Sequence, residues 1–503
     1  MSNLSELLPS GGGQNAVDFV ASGTLPNGKP VILKANGQVE VVGIGSTSVP
    51  QNIPTGGKTA VNGTSASFQP EVSFDPNTAG KCAVLFRDDS AGDYGKVAIG
   101  TISGTTVTFG TPVTYRDTSF NNAGQAIAYN PNVANQLLVF YNVASPNNCY
   151  SKVGTVSGTS ISFGSAVQFK SGGAEYLNVS FDPKTTGKFV LVYQDNSNNS
   201  YGTSIVGTLS GTTASYGSAV VFNSDYTLHS NISYDDNTAG KCLVASADTN
   251  SNKTGTGRLG TVSGTSISFG ASAAFNSGGG GVTDMSVSSD PNTADKYVIA
   301  YRDQGNSNYG KAVAVSVSGT TLSFGTEVTF NAAGTEYIDV DFDKNTTGKF
   351  VIVYQDGGNS NYGTAIVGNL SGTSISFGTE QVFESLNSQG IKLGFNPSSA
   401  GQFLTVFKYD GKAYAILGQI ASAVQATNLT ATNLLGISAG AISSGATGTI
   451  NLFGGINESQ SSLTIGSDYY VQENGTITTA SASPAQRIGT AISATQINIK
   501  DFA

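Results

Sequence analysis

The stretch AEYLNVSFDPKTTGKFVLVYQDNSNNSYGTSIVGTLSGT at 174–212 returns almost letter for letter as TEYIDVDFDKNTTGKFVIVYQDGGNSNYGTAIVGNLSGT at 335–373. The tripeptide SGT keeps the register, at Ser103, Ser157, Ser210, Ser263, Ser318 and Ser371, a step of 53 to 55 residues each time. A chain of 503 residues exceeds one ordinary core, and a fixed period of this length implies units that bury their faces against one another. A second marker is an Asp or Asn turn, FDPNT from 74, YNPNV from 129, FDPKT from 181, YDDNT from 234, SDPNT from 289, FDKNT from 342 and FNPSS from 395. That marker counts seven units where SGT counts six.

Each unit reads as four strands. In the third, YLNVSF (176–181) leads into the turn DPKTTGK, where Asp accepts from the turn's own backbone, Pro presets φ and Gly takes the left-handed position. KFVLVYQD (188–195) is almost continuously apolar, as expected of a strand covered on both faces. TSIVGTL (203–209) and, after the SGT turn, ASYGSAVVF (214–222) complete the set. Four antiparallel strands in about 53 residues, repeated around an axis, describe a β-propeller blade. The seventh unit stops after three strands, and STSVPQNIP (46–54) resembles the missing fourth. The expectation is an all-β chain with a seven-bladed β-propeller over 46–421, closed by that N-terminal strand so that no edge is left open.

The flanks lack the repeat markers. Residues 1–45 alternate apolar and polar through AVDFVASGTL, PVILKANG and QVEVVGIG, with NG turns at 27 and 36, and read as a small N-terminal β module that could anchor the chain. ASAVQATNLTATN opens a polar linker, assigned to 422–432, and 433–503 reads as a separate C-terminal β-barrel or sandwich domain.

Composition narrows the partners. The net charge is -9 with 11% charged residues, which argues against nucleic acid and anionic lipid. No apolar run reaches the length of a membrane span, so no membrane insertion is expected. Met1–Pro9 carries no basic residue, so no secretory leader is expected. The three cysteines, Cys82, Cys149 and Cys242, fall in different units and are odd in number, which fits a reducing compartment and small core residues rather than disulfides. No phosphate-cradling or dinucleotide motif opens a helix, and no cofactor is expected.

Binding on a rigid repeat normally resides in its variable loops. The longer loops are RDDSAGDYG (87–95), QDNSNNSYG (194–202), RDQGNSNYG (302–310) and QDGGNSNYG (355–363), with KSGGAEY (170–176), NSDYTLHS (223–230) and NAAGTEY (331–337) between units. Within them Asp88, Asp195, Asp303 and Asp356 each precede Tyr94, Tyr201, Tyr309 and Tyr362 by six residues. One reading is a ring of Asp and Tyr that recognises sugar hydroxyls by hydrogen bonds and stacking, or supplies oxygen ligands to Ca²⁺. The other is that Asp caps the loop and Tyr packs between blades, recurring because the blade recurs. His229 is the only histidine, placed in a loop between blades, which excludes a His-based metal cluster. A sialidase would need several Arg around a carboxylate, but Arg87 and Arg302 hold one equivalent position, and the chain has no Trp for the Asp-box. A paired-carboxylate glycosidase drawing on Glu175, Glu336, Asp284 and Asp225 stays open.

The two ends carry a resemblance. MSNLSELLPSGGGQNAVDFVASGTLPNGKPVILKANGQVEVV resembles N-terminal segments of structural proteins in tailed phages of marine bacteria. LTIGSDYYVQENGTITTASASPAQRIGTAISATQINI is similar to a small β domain near the C-termini of phage tail-fibre and other virion-surface proteins. The resemblance implies a non-enzymatic virion protein, assembled with other virion proteins in the host cytoplasm, in a fibre or a tail or head appendage. Tail-fibre likeness implies a homotrimer, and host attachment through a surface glycan is the function it suggests. A glycan hydrolase on the particle and a capsid decoration without a ligand are the alternatives.

Overall fold

The computed structural model describes residues 15–43, 57–63, 67–118, 124–145, 147–248, 254–276, 281–420, 428–430, 432–481 and 486–500. Their regular structure is almost wholly β; the helical turns among them are two short 3-10 segments, Asp89–Ala91 and Gly357–Asn359. None of the described helices is long and apolar enough to cross a membrane. The described residues divide into two compact units, one from those between 50 and 422 and one from both flanks together.

The larger unit is a β-propeller. Thr335–Phe342, Lys349–Asp356, Tyr362–Ser371 and Ser374–Phe377 pair antiparallel in chain order, and the same order recurs in the five repeats before it, while the last repeat supplies only its first three strands. The first strands stand side by side around an axis: Ser67–Phe74, Gln125–Tyr129, Ala174–Phe181, the second half of Val220–Tyr234, Val282–Ser289, Thr335–Phe342 and Gln389–Phe395. Gln389–Phe395 lies beside Ser67–Phe74, so the ring returns on itself.

The second strands explain the stability of the ring. Lys188–Asp195 is buried along its length, as its unbroken apolar run requires. Its Phe189 and Leu191 share a core with Leu138 and Phe140 of the preceding sheet. The first and last repeats meet in the same way, Val84 and Phe86 against Leu404 and Val406. Opposite Phe189, on the neighbouring strand, stands Gly207; a Cβ there would overlap the Phe189 ring, so the glycine is needed for close approach.

The Asp turns tie neighbouring sheets. Asp182 accepts from Lys184 N–H at 2.8 Å within its own turn and from Gly240 N–H at 2.8 Å in the next repeat. Asp75, Asp235 and Asp343 do the same toward Asn135, Asp295 and Gly401. These carboxylates are almost fully buried and their hydrogen bonds satisfy backbone donors at the turn face.

Three expectations are revised. The fourth strand is broken: Thr213–Tyr216 and the start of Val220–Tyr234 pair with opposite halves of Tyr201–Ser210. The break falls at Gly217, where a Cβ would run into the Thr265 carbonyl of the next sheet, so the glycine permits a close approach between neighbouring sheets. The 46–54 segment lies outside the described residues. The last sheet is instead completed by Thr59–Ala60, paired with Ala415 and Tyr414, with Val61 N–H donating to Ala413 at 3.0 Å.

The flanks are not two separate modules. Ala16–Val20 pairs with Thr447–Asn451, and Pro30–Leu33 pairs with Leu434–Ser438, inside one five-stranded sheet. Asn428 of the expected linker bonds to Gly43 and Val41. Ile32 and Val42 share a core with Ile437, Val471, Ile488 and Ile499. Neither flank has enough apolar surface for a core of its own, and pairing the two supplies it.

Candidate functional site

The recurrent loop aspartates are caps. Asp88, Asp303 and Asp356 are nearly fully buried. Asp303 accepts from Gly305 N–H at 3.0 Å and pairs with Lys311 at 2.7 Å. Asp88 accepts from Ser90 N–H at 3.1 Å and pairs with Lys96 at 2.6 Å. Burial raises the Asp88 pKa, but hydrogen bonds from Lys96, Ser90 and Asn62 outweigh it and hold the carboxyl below its ordinary value. Asp195 bonds Ser197 N–H and Lys170, and Asp356 bonds Gly358 N–H and Asn331. Tyr94, Tyr201, Tyr309 and Tyr362 each open a third strand and are half-buried. None of these eight residues lines either of the two axial cavities that the first strands form.

Cavities open instead along the axis. One of about 310 Å³ is lined by the beginnings of the first strands, among them Glu71, Tyr176, His229, Asp284, Tyr337 and Lys392. Six of the seven first strands carry a bulge at one place, with register shifts at Phe68/Glu71, Glu175/Asn178, Leu228/Asn231, Thr283/Ser286, Glu336/Asp339 and Gln389/Lys392, while Gln125–Tyr129 pairs without one. A bulge re-aims a side chain. The residue at its apex is left-handed, with φ of 51° at Tyr176, 49° at His229, 44° at Asp284, 53° at Tyr337 and 57° at Gly390. Gly390 adopts this conformation without strain, whereas a bulky residue there costs about 1–3 kcal/mol. His229 therefore belongs to a bulged strand lining the axis, not to a loop between blades. Its ring centroid is 4.9 Å from that of Tyr176.

Below the apex residues lies a second layer, Glu71, Ala126, Asn178, Asn231, Ser286, Asp339 and Lys392 at equivalent positions. Most of its polar members link adjacent sheets. Asn178 accepts from Ile232 N–H, and Asn231 accepts from Val287 N–H. Asp339 accepts from Leu393 N–H at 2.9 Å and from Ser286 Oγ at 2.8 Å. Lys392 Nζ stands 3.7 Å from Asp339. Burial opposes the Lys392 charge, but Asp339, Glu71 and Asp284 together hold its ammonium above the usual lysine value. The Glu71 carboxyl accepts no hydrogen bond from any described residue; enclosure pushes its pKa up to about 7 against the pull of Lys392.

A third layer holds Ser73, Ser180, Ser233, Ser288 and Asp341, and lines a cavity of about 410 Å³ toward the Asp-turn end. Ser73, Ser180 and Ser233 each accept from the next sheet's N–H. Asp341 accepts from Phe395 N–H at 2.9 Å, and desolvation raises its pKa to about 6.

Of the carboxylates open to a hydrolase role, Asp284 lines the axial cavity and pairs with Arg302 at 3.5 Å. Glu336 also pairs with Arg302, Glu175 bonds Asn196, and Asp225 bonds Tyr226 N–H. The cysteines are buried, and burial pushes the thiols of Cys82 and Cys242 up to about 12, so they are unreactive. Among the described residues no group of three or more His, Cys, Asp or Glu is placed to hold a metal ion.

No protein-family model matches the sequence, and no curated protein matches it either. Among solved structures, the BP39L lectin from Burkholderia pseudomallei superposes with a TM-score of 0.55 at 8% identity, over 71% of this chain and 97% of that one. The fold is thus that of a propeller seen in a lectin. Sqt1 from Chaetomium thermophilum, solved with the N-terminus of ribosomal protein L10, gives 0.45 at 11% identity over 70% and 84% of the two chains. The Aleuria aurantia lectin, a six-bladed propeller with a fucose recognition mode, gives 0.39 at 13% identity over 64% and 98%.

Proposed function

We propose that this chain is a non-enzymatic, carbohydrate-binding attachment protein of a tailed phage particle. Its propeller has seven blades, the last completed by Thr59–Val61. The observation that carries the glycan reading is the set of left-handed Tyr176, His229, Asp284 and Tyr337 at a position where Gly390 serves the fold without strain. Bulky side chains held there line the 310 Å³ axial cavity, and local strain of this kind gathers at functional sites. Tyrosine faces beside carboxylates, amides and an ammonium are the groups that hold a pyranose ring. The lectin likeness in fold agrees with this. The virion setting rests on the resemblance of the two ends, which pair with each other in one flanking unit.

Weak binding at each propeller is compensated when many copies act together on one particle. Two measurements test the proposal. The purified chain should bind host-derived glycans on an array, and an antibody to 46–421 should label intact particles in electron micrographs. Failure of every glycan to bind refutes the attachment role, and absence of the protein from particles refutes the virion setting.

A second reading is favoured by one feature. Glu71, raised to about 7, shares the axial cavity with Asp284 and Asp339's neighbour Lys392, and a raised carboxyl with a second carboxylate is the equipment of a glycosidase. Release of reducing sugar from host polysaccharide, abolished in Glu71→Gln, would establish a hydrolase in place of a lectin.

A further inference from the structure

We infer that the propeller holds one glycan terminus per chain, on its axis, and not one at each repeat. The inference rests on the glycan-binding reading and adds the site, its stoichiometry and the ligand class.

The repeats distinguish two kinds of residue. Those that recur are accounted for by folding: the Asp turns bond the next sheet, the loop aspartates cap their loops, and Gly207 and Gly368 admit Phe189 and Phe350. Two positions of the first strand behave otherwise. The bulge apex runs Tyr176, His229, Asp284, Tyr337, Gly390 through the last five repeats, and the layer below runs Glu71, Ala126, Asn178, Asn231, Ser286, Asp339, Lys392 through all seven. A fold that needed one chemistry at these positions would repeat it. The members that line the axial cavity, among them Glu71, Tyr176, His229, Asp284, Tyr337 and Lys392, differ from repeat to repeat, so the combination occurs once.

The composition of that cavity is also lopsided. Tyr176, His229, Asp284 and Tyr337 come from four consecutive repeats and form one arc. Glu71 and Lys392 come from the first and last repeats, on the arc across from them, with Asp339 beside Lys392. Asn178, Asn231 and Asp339 are engaged in linking sheets. Glu71 accepts no hydrogen bond from a described residue and faces the cavity beside an ammonium. A carboxylate next to an ammonium offers an acceptor and a donor to adjacent hydroxyls, and tyrosine faces opposite stack on the ring's C–H side. The ligand class is accordingly the non-reducing end of an oligosaccharide with a free vicinal diol. The cavity volume of about 310 Å³ lies at the small end for ligand sites and suits a terminal sugar unit rather than a long chain.

The test is calorimetric titration of the full chain with oligosaccharides ending in mannose, galactose, glucose, fucose or N-acetylglucosamine. The variants are Tyr337→Asn, which tolerates the left-handed backbone, Glu71→Gln, and Tyr201→Ala in a recurrent loop. The expected result is one site per chain for at least one sugar, weakened tenfold or more by Tyr337→Asn and by Glu71→Gln, and unchanged by Tyr201→Ala. Melting temperatures of the variants check that the loss is not unfolding. Several sites per chain, or full binding in both axial variants, would overturn the axial site while leaving the glycan reading in place. Binding of no sugar would overturn both.

Discussion

Replacing Asp341 by Asn isolates the electrostatic cost of the axial channel. Asp341 is half-buried on the wall of the axial channel, and desolvation raises its pKa from 3.8 to about 6. The folded state therefore disfavours the ionised form. Stability from this group is full at low pH, is lost as pH rises from about 4 through 6, and stays lost above that. A rise of about two units corresponds to roughly 3 kcal/mol at about 1.4 kcal/mol per unit, and the partial exposure of Asp341 trims this to about 1–2 kcal/mol. Asn keeps an acceptor for Phe395 N–H and can donate to Ser288 Oγ, the two contacts Asp341 makes to other sheets. Glu71 titrates in the same direction, so the profile of the unaltered protein alone does not isolate Asp341. The difference between variant and parent does. Melting temperatures across pH 4 to 7.5 should show that difference move in favour of Asp341→Asn by about 2 °C as pH rises, given about 2 cal/mol/K per residue of unfolding entropy. A difference that is flat across this range, or that moves the other way, would refute a raised pKa at Asp341 and the enclosed channel behind it.

Gly207→Ala drives a methyl into the Phe189 ring and should destabilise the propeller by about 2–3 kcal/mol, read as a lower denaturant midpoint. Val61→Pro removes the hydrogen bond to Ala413 and should cost about 2–3 kcal/mol if Thr59–Val61 closes the ring; an unchanged melting temperature would show the closure to be unimportant. Asp303→Ala uncaps a loop and leaves Lys311 with Glu327 alone, so stability should fall by about 1–3 kcal/mol while sugar binding is unaffected; the reverse outcome would restore the recurrent aspartates as the site. Deleting 427–503 should leave the propeller folded but strip Ala16–Val20 of its partner and Pro30–Leu33 of one of its two, making the Lys34–Ala35 bond rapidly accessible to trypsin.

The repeat made the propeller legible, because a marker such as SGT and an apolar second strand such as KFVLVYQD depend on local rules of turn and burial. The broken fourth strand was not legible, since the carbonyl that Gly217 packs against, that of Thr265, belongs to another repeat. Nor was the joint flanking unit. Pairing of Val31 with Gly436 spans most of the chain, and nothing in either segment's alternation distinguishes a partner next door from one four hundred residues away.

The candidate site was hidden by the same regularity that revealed the fold. Recurrence drew attention to Asp88, Asp195, Asp303 and Asp356, but a residue kept in every blade is one that every blade needs, and these caps are what the loops need. The polar alternation of YLNVSF and YIDVDF already placed Asn178, Ser180, Asp339 and Asp341 on one face of an inner strand. The bulge that turns Tyr176 and Tyr337 toward that face is a backbone feature with no composition cue of its own, because glycine is absent at four of its five left-handed apices. In a repeat protein the departures from the consensus that converge on one cavity are therefore the better guide to a ligand, and aligning the units at the Asp turn brings Glu71 and Lys392 into one column as opposite charges.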